Sequence, residues 1–120
     1  MEIADLSAER VARNDATFRE ANEAIRGRAA HLEAELERVP FICECADLRC
    51  TEIVRLTLVE YEAVRADGRH FLMAHGHADG GAEREHTRVV EELPSHVVAE
   101  KVGRAAEIAE DLDPRGVGSQ

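Results

Sequence analysis

The chain's three cysteines, Cys43, Cys45 and Cys50, fall within a single eight-residue stretch, and the histidine pair His75 and His77 follows further on. Three thiolates and one imidazole are the ligand set of a closed, tetrahedral structural zinc site. Random placement would crowd all three cysteines this closely only about 1% of the time. An odd count fits a disulfide framework poorly, since small secreted scaffolds carry even numbers of cysteines. The expected ligands are Cys43, Cys45, Cys50 and His77, with His75 as the alternative imidazole. His31, His70, His86 and His96 are isolated and are not expected to bind. The second nitrogen of the ligating ring needs a partner, for which Glu44 and Asp79 are the candidates.

Four protein ligands would fill the coordination sphere of zinc and leave no position for water or substrate. The sequence also lacks His-Glu-x-x-His, the zinc deaminase pattern, Gly-x-Ser-x-Gly and a glycine-rich phosphate loop before a helix. The expected function is therefore a non-enzymatic, zinc-stabilised protein-interaction or regulatory module. A thiol redox sensor that releases zinc on oxidation is the alternative. A zinc enzyme, which would need an exchangeable fourth position, comes third.

Formal charge is −10, with fourteen arginines and one lysine, Lys101. That balance opposes approach to a phosphate backbone, so no nucleic-acid partner is expected. The arginine bias suggests a GC-rich bacterial genome. The acidic start of the chain has no apolar run behind it, and no stretch approaches the length of a membrane span. The expectation is a soluble cytoplasmic protein that makes no membrane contact.

These ligands must be positioned by a small α+β fold: a long N-terminal helix, a small antiparallel sheet with a zinc-knuckle hairpin, and one or two covering helices. Leu, Ile, Val and Phe number 28 of 120 residues, enough for one modest core. Residues 7–38 are good helix formers, with Val11, Phe18, Ile25 and Leu32 spaced by seven. Leu36 widens this stripe, and Asp15, Asn22 and Arg28 interrupt its flanks. Such a helix either breaks near Gly27 or projects to meet a protein partner or a second copy of the chain as a homodimer; the equal alternative is a single amphipathic helix laid across its own sheet. The expected division is a helical arm at 1–39, a zinc-binding core at 40–113 and a flexible tail at 114–120.

Pro40 stops the helix. Strands are expected over residues 41–45 and 51–56, with Cys43 and Cys45 on one side of the first. Thr57-Leu58-Val59-Glu60 is a capping box, with Leu56 and Tyr61 placed as its hydrophobic staple. The helix that follows should close at Asp67-Gly68 through a left-handed glycine. Further strands are expected at 70–74, 87–92 and 96–102, a loop at 75–81, and a last helix at 104–112.

Residues 14–23, 41–50, 57–65, 71–77 and 97–101 together resemble a family of small uncharacterised bacterial proteins. Its members carry Phe-x-Cys-Glu-Cys-x4-Cys, a Leu-Thr-x-x-Glu-Tyr-Glu helix start and a Pro-Gly-His-Glu loop. The resemblance implies metal binding by Cys43, Cys45, Cys50 and His77, and it implies no activity. Here the loop reads His75-Gly76-His77-Ala78, without the family's proline and following acid.

Overall fold

A computed structural model of the chain describes residues 3–31 and 37–115. The fold is α+β, with helix α1 (Ile3–Ala29), strands β1 (Val39–Ile42) and β2 (Ile53–Leu56), helix α2 (Leu58–Val64) and strand β3 (His70–Met73) in succession. A 3-10 turn (Gly81–Glu83), strands β4 (Thr87–Glu92) and β5 (Val97–Lys101) and helix α3 (Gly103–Asp111) complete it. The single expected sheet is two: an antiparallel β1–β2 hairpin and a three-stranded antiparallel sheet in the order β3-β5-β4.

Helix α1 ends at Ala29, two residues past Gly27. Leu32 and Leu36, read from sequence as part of its stripe, lie outside the described residues, as do residues 116–120 of the expected tail. The buried face of α1 carries Ala8, Val11, Ala12, Asp15, Arg19, Asn22 and Ala29. Its spacing is the helical one that sequence periodicity suggests, but polar side chains occupy its centre. Each has a destination. Arg19 donates to the carbonyls of Gly68 and Ala109 at 2.7 and 2.9 Å and stacks over the Phe71 ring. Asp15 meets Lys101, and Asn22 grips Ile42. Near its start, Ala8 and Ala12 pack against Ala105 and Ile108 of α3, the three alanines letting the two helices approach closely.

The main core lies between the two sheets and α2. In it Phe41 and Tyr61 stack with centroids 4.3 Å apart, and Leu56, Val64, Phe71, Leu72, Met73 and Val97 surround them. Thr57 caps α2 as the sequence implies: its side chain accepts from the Glu60 amide at 3.1 Å, and Glu60 accepts from the Thr57 amide at 2.8 Å. The staple residues Leu56 and Tyr61 are both fully buried. The expected glycine closure of α2 does not form. The helix ends at Arg65 in right-handed geometry. Gly68 serves close approach instead, because a Cβ there would lie 2.7 Å from the Asp113 carboxylate. Asp113 pairs with buried Arg65 at 2.5 Å. Arg115, expected in the tail, holds both Glu23 and Glu62.

Candidate metal centre

The cysteine loop joins β1 to β2, so the hairpin itself delivers all three sulfurs to one end. The strands are shorter than expected: β1 stops at Ile42, and Cys43, Cys45 and Cys50 lie in irregular backbone. Pleat alternation therefore does not aim Cys43 and Cys45. Hydrogen bonds to three other parts of the chain do.

Asn22 of α1 donates to the Ile42 carbonyl at 2.8 Å and accepts from its amide at 2.9 Å, so it replaces a neighbouring strand. The next-but-one residue, Glu44, is fully buried. Its amide donates to the Leu72 carbonyl at 2.8 Å, and its carboxylate accepts from the Leu72 amide at 2.9 Å and from Asn22 at 2.7 Å. These bonds lay the cysteine segment along β3 and bridge the two sheets. Ala46 is held on both sides, its amide by Glu83 at 2.6 Å and its carbonyl by Asn14 at 3.1 Å. Asp47 closes the loop: its side chain accepts from the Arg49 amide at 2.9 Å and its carbonyl from the Cys50 amide at 3.0 Å.

The imidazole arrives from the end of β3. Gly76 has φ +85°, a left-handed conformation that a side chain disfavours, and the turn it makes brings His77 back toward the hairpin. Cys43 Sγ, Cys45 Sγ, Cys50 Sγ and a His77 ring nitrogen all lie within 4.8 Å of one another. His77 Nδ1 is 3.5 Å from both Cys43 Sγ and Cys50 Sγ. For a tetrahedral zinc with ordinary bond lengths, the sulfur-to-nitrogen separation is about 3.6 Å, so these distances fit a shared cation. The Ala74 amide also points at Cys43 Sγ, at 3.3 Å. An N–H donor to sulfur is the outer support a thiolate ligand needs.

The electrostatics agree with the donor set. Interaction with the neighbouring Cys43 thiol, helped by His77, brings Cys45 down to about 5 against the effect of burial. The same contact, joined by burial, drives Cys43 upward, and burial raises Cys50. Three sulfurs this close resist simultaneous ionisation, and a divalent cation among them removes that resistance. The cysteines are not joined by disulfides. Cys43, Cys45, Cys50 and His77 thus form a group that could hold a metal ion.

His75 goes elsewhere. It is exposed, and its Nε2 lies 2.7 Å from the Leu93 carbonyl. The expected outer partners of the imidazole are also reassigned: Glu44 is committed to Asn22 and Leu72, and among the described residues neither it nor Asp79 hydrogen-bonds the His77 ring. A cleft of about 660 Å³ adjoins the centre, with Cys45, His77, Asn14, Asp47, Arg49 and Glu83 among its lining residues. Sequence reading also passed over Asp67, His70 and Glu100, which converge within 4.8 Å on the outer face of the three-stranded sheet. Glu100 is already engaged by Arg88 at 2.7 Å, so that trio is an ion-pair cluster. Among the described residues, no helix is long and apolar enough to cross a membrane.

No family model, curated protein or solved structure matches the chain. The case for the centre rests on its own geometry.

Proposed function

We propose that this protein is a non-enzymatic module whose fold is fastened by one zinc ion, and that it acts by binding another protein in a reducing cytoplasm. The observation that carries the reading is the convergence of three sulfurs and one imidazole nitrogen within 4.8 Å, contributed by the β1–β2 loop and the turn after β3. A thiolate-rich tetrahedral donor set favours zinc over magnesium, calcium or manganese, which prefer oxygen. Four protein ligands leave no coordination position for substrate, which favours a structural role over catalysis.

Cobalt substitution tests the closed site. A cobalt-loaded sample should show the visible bands of a tetrahedral, thiolate-rich centre, and excess azide or thiol should leave them unchanged. A spectrum that shifts on adding these ligands would reveal an exchangeable position and favour an enzyme.

A redox-sensing role is the second reading, favoured by one observation: Cys45 and His77 line the adjoining cleft, so an oxidant has a path to the centre. Zinc release by dilute peroxide, faster than from a zinc protein without such a cleft, would support it.

A further inference from the structure

Lys101 is the only lysine in the chain, and its side chain is wholly buried. It closes β5, the central strand of its sheet, where Nζ touches the carboxylates of Asp15 on α1 and Glu83 in the 3-10 turn. The Thr87 hydroxyl lies 2.5 Å from Nζ, and the Phe71 ring centroid 5.5 Å away.

The two carboxylates differ. Glu83 is well satisfied, accepting from the Ala46 amide and from the Thr87 hydroxyl at 2.7 Å, and it accepts a hydrogen bond from Lys101. Asp15 has 0% exposure, and its carboxyl lies directly against Nζ and beside Glu83. A fully buried carboxyl against an amine, with a second carboxylate beside it, is an expensive way to build an ion pair. Burial pushes Asp15 well above the usual carboxylate range against the pull of Lys101, and neighbouring Glu83 adds to the rise. Glu83 moves the other way: burial opposes its ionisation, but contact with Asp15 and the Lys101 charge hold it low. Two carboxyl groups and the Lys101 side chain are therefore gathered in one pocket, none of them more than 3% exposed.

We propose that Lys101 and Asp15 condense to an intramolecular amide bond, with Glu83 as the proton acceptor. In this step Lys101 Nζ bonds to the Asp15 carboxyl carbon, and the bond from that carbon to its hydroxyl oxygen breaks. Of the three protons on the lysine ammonium, one stays as the amide N–H. A second passes through Glu83 to the departing hydroxyl, which leaves as water, and the third remains on Glu83. Nothing is oxidised or reduced, and no co-reactant is required. Fixed contact between the reacting groups supplies a high effective concentration, and condensation replaces two poorly solvated groups with one neutral amide. The product ties α1 covalently to the central strand, closing a loop that spans most of the chain.

The test is the intact mass of the purified full chain, denatured with reductant and chelator so that metal and disulfides cannot contribute. The expected mass is one water below the sequence mass. Because Lys101 is the sole lysine, a lysine-specific protease should leave the denatured protein uncut, and trypsin should release a branched peptide joining residues 14–19 to 89–104. A full sequence mass with complete cleavage after Lys101 would overturn the proposal. So would a one-water deficit without the branched peptide, which would place the dehydration elsewhere. Glu83→Gln should restore the full mass and the protease site, and a cross-link that still forms in it would overturn the assignment of Glu83. Should that variant fail to fold, the wild-type mass and digest decide the bond alone.

Discussion

Asn22 tests most sharply how the cysteine loop is positioned. Replacing it with alanine removes three hydrogen bonds: two to the backbone of Ile42, at 2.8 and 2.9 Å, and one to Glu44 at 2.7 Å. Ile42 is only partly buried, so water can recover some of the loss there, at a cost of about 1 kcal/mol for each backbone group. Glu44 is fully buried, and depriving its carboxylate of a donor costs about 1.5–3 kcal/mol more. The total is about 3.5–5 kcal/mol, a large share of the stability of a small domain. With a urea dependence of about 2 kcal/mol per molar, the unfolding midpoint of the metal-loaded protein should fall by about 2 M. Asn22→Asp should fall further, since it sets a carboxylate against Glu44 and the Ile42 carbonyl. Asn14→Ala is the control, because among the described residues its side chain makes a single bond, 3.1 Å to the Ala46 carbonyl. A midpoint for Asn22→Ala no lower than that of Asn14→Ala would refute the argument that Asn22 is the main anchor of the loop.

His77→Ala should weaken zinc binding at least 10-fold in a chelator competition, whereas His75→Ala should leave it unchanged, because His75 faces Leu93. Thr57→Ala should cost about 1 kcal/mol in denaturant unfolding through loss of the α2 cap, with zinc affinity preserved. Acid should destabilise the fold through Glu23 and Glu62. For Glu23, burial is outweighed by hydrogen bonds from Arg115 and Tyr61, and for Glu62 the Arg115 hydrogen bond dominates, so both are depressed below 4.5. A depressed carboxylate stabilises above its unfolded value and loses that contribution as pH falls through the folded one. Thermal melts should therefore drop below about pH 4.5 in the wild type and less steeply in Arg115→Met.

Local signals in the sequence were readable because their physics is local. The Thr57–Glu60 box needs only four consecutive residues, and the spacing of Cys43, Cys45 and Cys50 already places three sulfurs within reach of one ion. Choosing His77 over His75 was harder, since both flank Gly76, and the turn at that glycine decides which ring faces the sulfurs. Polar residues on α1 were the least legible. Asp15 and Asn22 read only as interruptions of the apolar stripe, and nothing singled out Arg19, until Lys101, Ile42 and Ala109 turn out to be their partners. Gly68 misled for the same reason. Its purpose is the approach of Asp113, and nothing within its own helix signals that. The shorter β1 likewise reflects distant bonding, because Glu44 leaves the hairpin to pair with Leu72.

Metal content measured on the intact protein addresses the central claim most directly. Native mass spectrometry of the chain purified without chelator should show one zinc per chain, lost when Cys43, Cys45 and Cys50 are replaced together by serine. A metal-free wild type that keeps its fold, or zinc retained at full stoichiometry by the triple variant, would contradict the account.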